Sequence, residues 1–105
     1  MKQITKNLFK AITRRGFSGS SAHFSLKAIQ ADFKAPTDVR VVASKKIIPS
    51  AVSRNRLKRR VRAIFNEVQP SIQAVFFVKK GAAVISFNEM RREITFLLKK
   101  FKDAA

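Results

Sequence analysis

Residues 51 to 68 constrain this chain more than any other stretch. Leu57, Val61, Ile64, Phe65 and Val68 recur at the spacing that lines them up on one stripe of a helix, and Pro70 closes the segment. The positions between them are crowded with charge of one sign. Arg54, Arg56, Lys58, Arg59, Arg60 and Arg62 put six cations into nine positions, and no acid occurs between Val39 and Asn66. At about 100° per residue, Lys58, Arg62, Asn55, Arg59, Arg56 and Arg60 sweep an arc opposite the apolar stripe. Such a segment predicts a surface helix, its stripe docked on a sheet and its cations facing out. Arg54 falls near the edge of the stripe, where its side chain lies over the sheet margin and its guanidinium can fork two phosphate oxygens.

The rest of the chain supplies the layer beneath. Ile4, Leu8, Ala11 and Ile12, with Phe9 beside them, predict a short amphipathic helix from Thr5 to Arg15 that stops at Gly16. The run from Gly16 to Ala22, with its glycines and serines, reads as a loop. Phe24, Leu26 and Ala28 alternate with their neighbours in a strand over 23–31, and Val39, Val41 and Ala43 do so in a second. A loop from Asp32 to Asp38, containing Pro36, joins them, and the two are expected to pair as a hairpin. Ala74 to Val78 is apolar without interruption, the pattern of a strand buried on both faces. Ser86 and Glu89 stand at capping-box spacing before a last helix whose face is Phe87, Met90, Ile94, Leu97 and Phe101. A length of 105 residues predicts one domain over residues 1–105.

Charge narrows the function. The 23 Lys and Arg against 6 Asp and Glu leave a net charge of +17, a self-repulsion that a polyanionic partner relieves. Solvated helix faces ordinarily mix signs, so an acid-free basic helix points to nucleic acid. No second helix precedes residue 51 within a short turn, so the spacing is not that of a helix-turn-helix, and a sheet flanked by basic helices suits RNA. Phe24, Phe76 or Phe77 could stack on an unpaired base from a sheet face but read as core, whereas Phe9 lies off its packing line and is the aromatic best placed to stack. With no Cys and a single His, thiolate metal sites and cysteine nucleophiles are excluded, and no catalytic or metal-ligating residue is assigned. His23 reads as structural or phosphate-contacting, and Glu89 and Glu93 beside Arg92 as surface pairing. No apolar run approaches bilayer length, so a soluble cytoplasmic chain with no membrane partner is expected.

The stretch Ser44-Lys45-Lys46-Ile47-Ile48-Pro49-Ser50-Ala51-Val52-Ser53-Arg54-Asn55-Arg56-Leu57-Lys58-Arg59-Arg60-Val61-Arg62 closely resembles the signature of the bacterial ribonuclease P protein subunit. The likeness extends over nearly the whole chain, with Phe9, Ile12 and Gly16 fitting the first helix and residues 74 to 102 the last strand and helix. It implies an α+β fold, a two-layer α/β sandwich in the order αβββαβα with a left-handed βαβ crossover, of the kind seen in a domain of a ribosomal protein. The extra strand this requires would run from Phe17 to Ser20, against the loop that local composition suggests.

The resemblance also implies a role. The family is the accessory protein of an endoribonuclease whose catalytic RNA holds Mg²⁺ and removes the 5′ leader of precursor tRNA. Carried over by motif position, Arg54, Asn55, Arg56, Lys58, Arg59, Arg60 and Arg62 would face the catalytic RNA. Phe9, Lys27, Lys45 and Lys46 would line the leader's cleft. No obligate protein partner is implied. Thr13 stands where many members carry a second aromatic, Ala63 where Arg-Glu often continues the helix, and Gln73 where an acid is frequent, the marks of a divergent member. The alternative is a small basic ribosomal protein acting as scaffold, which needs charge in the helix but not the fixed order Arg-Asn-Arg-x-Lys-Arg. A protein-only nuclease would need clustered carboxylates that this sequence does not offer.

Overall fold

The computed structural model describes residues 16–31, 37–68 and 70–104. Its elements are β1 (Phe17–Ser20), β2 (Phe24–Gln30), β3 (Asp38–Val42), α1 (Ala51–Val68), β4 (Ile72–Val78), a 3-10 turn (Ala82–Val84) and α2 (Phe87–Ala104). The helix expected from Thr5 to Arg15 lies outside the described residues, as do positions 32–36 of the loop after β2.

The strands form one sheet in the order β1-β2-β4-β3. The expected hairpin between β2 and β3 does not form, because β4 lies between them. It pairs antiparallel with β2, Leu26 opposite Phe76, and parallel with β3, Val41 opposite the same Phe76. The reason is visible in composition. Ile72–Val78 is buried at every position but Phe77, so it belongs where both edges and both faces are covered. The β3-α1-β4 connection is accordingly a parallel crossover with the basic helix as its middle element. The strand over Phe17–Ser20 is present as β1, antiparallel to β2.

Both helices cover the same face of the sheet, α1 over β3 and α2 over β1 and β2, and they pack on each other. Phe24, Leu26, Ala28, Val41, Ala74 and Phe76 from the strands meet Leu57, Val61, Ile64 and Phe65 of α1 and Met90, Ile94 and Leu97 of α2. Each of the larger of these side chains contributes about 1.5–3 kcal/mol by leaving water. Val68, expected on the α1 stripe, remains 42% exposed, so the packed part of the stripe ends at Phe65. At Gly19 the strand leaves room for its own Phe17 ring beneath α2: a Cβ there would stand 2.9 Å from that ring and 3.4 Å from Leu97, so a larger residue would first displace the Phe17 side chain.

Ser86 caps α2 as its spacing predicts, its Oγ accepting the Glu89 N–H at 3.1 Å. The Glu89 carboxylate pairs with Arg92 at 3.3 Å. Glu93 departs from the surface pairing expected of it. It is buried, and its carboxylate accepts from the Ser21 hydroxyl at 2.6 Å, the His23 N–H at 2.8 Å and His23 Nδ1 at 2.6 Å. These bonds pin the β1–β2 turn to α2. Burial raises the carboxyl pKa, but the hydrogen bonds from Ser21 and His23 and the charge on His23 outweigh it, leaving Glu93 below its ordinary value. An ionised Glu93 only accepts, so His23 Nδ1 carries the proton between them. His23 is thereby a structural residue.

Candidate nucleic-acid interface

Helix α1 starts where Ser50 caps it, the Ser50 Oγ accepting the Ser53 N–H at 3.2 Å and its carbonyl the Arg54 N–H at 3.0 Å. That start sets the rotation of everything after it. With Leu57, Val61, Ile64 and Phe65 buried, Asn55, Arg56, Arg59 and Arg62 come out exposed, flanked by the half-buried Lys58 and Arg60. Among the described residues none of Arg56, Lys58, Arg59, Arg60 and Arg62 forms an ion pair. The single acid of α1, Glu67, is turned to α2, where Arg91 holds it at 3.2 Å. The arc is therefore a surface of uncompensated positive charge, supported from below by a rigid sheet.

Arg54 sits at the edge of the stripe, as its spacing predicts, but its Nη1 donates to the Ile48 and Pro49 carbonyls, each at 2.8 Å. Both hydrogens of that nitrogen are thus used within the chain. The end-on fork to two phosphate oxygens, which needs Nη1 and Nη2 together, is not open to it, whereas a side-on fork uses Nε and Nη2 instead.

Lys45 and Lys46 stand exposed in a turn between β3 and α1, closed by Ile48 N–H donating to the Ser44 carbonyl at 2.9 Å. Arg54 bonds to the end of that segment, so the turn and the start of the arc are adjacent. Lys27 is elsewhere. Strand alternation puts Leu26 and Ala28 under the helices and Lys27 on the opposite face, in a cross-strand row Ser18, Lys27, Val75, Arg40. Its Nζ approaches the Ser18 Oγ at 3.5 Å. Phe9 lies outside the described residues.

Of two further side chains on that second face, Arg40 is not singled out by the sequence and Phe77 reads there as core. Arg40 shares the Lys27 row, and its signal is its place between Val39 and Val41 in a strand that buries both. Phe77 is half-buried on the same face, one row over, whereas Phe24 and Phe76 are fully inside the core. An apolar run with no alternation conceals which of its rings faces away from the helices.

A family model described as Ribonuclease P matches residues 3–102 of the chain. The ribonuclease P protein component of Microcystis aeruginosa is 31% identical over 99 residues, covering 88% of this chain and 82% of that protein. The component from Shouchella clausii is 31% identical over 106 residues, with 96% and 86% covered. The solved structure of the Staphylococcus aureus RNase P protein superposes with a TM-score of 0.77 at 19% identity, over 90% of this chain and 89% of that one, a likeness of fold.

Proposed function

The chain belongs to the ribonuclease P protein family, the protein component of an endoribonuclease, and from that premise we propose that its basic arc docks the catalytic RNA while the face carrying Lys27 meets precursor tRNA. The observation that carries this reading is the acid-free arc of α1, unpaired among the described residues and held on a packed stripe.

Arg56, Arg59 and Arg62, with Asn55, Lys58 and Arg60 at their sides, neutralise phosphates of the catalytic RNA and release its counterions. The 5′ leader of precursor tRNA passes along the edge of the second sheet face, where Lys27 meets a phosphate. Lys45 and Lys46 stand at the turn that joins β3 to the arc. Such contacts read little sequence, so one protein serves many precursors. Two polyanions approach each other closely only if charge between them is cancelled, and the protein is the cationic layer that does so.

The bond-breaking chemistry is assigned to the RNA. Among the described residues no three carboxylate or imidazole groups stand together to hold a metal, and the one buried carboxylate, Glu93, is taken up by Ser21 and His23. Hard-cation ligands in this reading are RNA phosphates, and no step is routed through a metal on the protein.

Single-turnover cleavage of a precursor tRNA by a bacterial-type catalytic RNA, in low Mg²⁺ with and without this protein, tests the proposal. Stimulation by the protein, which cleaves nothing alone, is expected; equal rates in both arms overturn it.

A further inference from the structure

Arg54 differs from the other five cations of α1 in that its hydrogen bonds run to the chain's own backbone. Its position costs stability by itself. It lies in the first turn of the helix, where the macrodipole disfavours a cation. What offsets this is the pair of carbonyls it satisfies. Ile48 and Pro49 lie in the link between β3 and α1, and Pro49 has no N–H of its own to donate. Ile48 is fixed at three points: its side chain is buried in the core, its N–H donates to the Ser44 carbonyl, and its own carbonyl accepts from Arg54. The link carrying Lys45 and Lys46 is thereby tied at one end to Ser44 and at the other to the first turn of α1.

We propose that Arg54 is a positioning residue: it fastens the Lys45–Lys46 turn to the start of α1, so that turn and arc meet RNA as one rigid cationic body, and it neutralises no phosphate itself. The fastening stands on the protein alone. Its consequence for RNA rests on the reading of the arc given above. With the turn held before binding, ordering two long lysine side chains and their backbone costs less at the moment of association.

Arg54→Met keeps the apolar stem and removes every donor, and Arg54→Ala provides a second variant should packing fail. Amide hydrogen exchange is measured first on the free protein. In either variant the Ile47, Ile48 and Ser53 amides are expected to exchange about tenfold faster while β4 amides keep wild-type rates, the signature of local opening. Turn amides at wild-type rates, or acceleration that reaches β4 equally, overturn the fastening.

The second readout is the salt dependence of affinity for the catalytic RNA. Arg54→Met should bind more weakly with an unchanged slope, whereas Arg59→Ala should lose about 0.7–0.9 from the slope, one phosphate's worth. A slope in Arg54→Met reduced as much as in Arg59→Ala, with turn exchange unchanged, makes Arg54 a phosphate contact and overturns the proposal. A wild-type slope near zero sinks the arc reading and leaves the exchange result to decide the fastening.

Discussion

The two helices make a controlled comparison within one molecule. Each has 18 residues, each buries one stripe against the same sheet face, and each carries five or more cations. They distribute charge differently. In α2, five cations are interspersed with three acids, and two of the acids have partners: Glu89 pairs with Arg92, and Glu93 holds Ser21 and His23. In α1, six cations face one acid, and that acid is turned to the neighbouring helix. Since α2 shows that this fold accommodates a helix of mixed sign, the bare arc of α1 is not a requirement of packing. It is a cost in repulsion that binding a polyanion removes.

Removing charge from each helix in turn tests this contrast. Replacing Arg56, Arg59 and Arg62 together with Ala should weaken affinity for the catalytic RNA by about a thousandfold and flatten the salt slope by about 2–3, with helical circular dichroism unchanged. The matched set on α2, Arg92, Lys99 and Lys100, should shift affinity by less than about threefold. Equal losses from the two sets would break the comparison.

The next effect belongs to α2. Glu93→Ala leaves the β1–β2 turn unanchored and the His23 ring without its acceptor, and should cost about 3 kcal/mol in a denaturant titration. The pH dependence has a definite sign. Because folding lowers the Glu93 pKa below its ordinary value of 4.5, its contribution is fully present above that pH and is lost as pH falls through the folded value. Glu93→Gln should remove this acid-side component of unfolding, and an unaltered acid limb would contradict the assignment.

Smaller still is Lys27→Ala, on the opposite sheet face. It should lower affinity for a precursor tRNA with its leader about severalfold and leave affinity for mature tRNA unchanged, as expected of one phosphate contact. Smallest of all is Glu67→Ala, which removes an exposed interhelix pair and should change stability by less than about 0.5 kcal/mol. A larger value would mean that α1 does depend on an acid for its packing.

The two helices were also the parts most legible in the sequence. Their stripes are periodic and local, and Ser86 marks the start of α2 by its spacing to Glu89. The sheet was less so. Alternation in β2 and β3 reveals that each is a strand but carries no information on its neighbour, so a hairpin between consecutive strands stood where β4 actually intervenes. Strand β1 follows from the family resemblance and not from Phe17–Ser20, whose Gly and Ser residues have weak strand preference. Glu93 was misplaced for a related reason. Its neighbours on the helix suggest surface pairing, while its true partner, His23, is 70 residues away in the chain. Within the site, the exposed arc was legible from α1 alone, because angle and charge are local properties. The engagement of Arg54 with Ile48 and Pro49 was not, because it depends on how the preceding link folds back.

The natural absence of cysteine allows the contrast between helices to be read directly in the assembled complex. A hydroxyl-radical-generating chelate tethered at Ala63→Cys, exposed on the arc side of α1, is compared with one at Phe96→Cys, exposed on α2. Strand cuts mapped on the catalytic RNA should cluster in one region from position 63 and be at background from position 96. Cuts from 96 with none from 63 would show that the RNA docks on the mixed-charge helix, and would contradict the account.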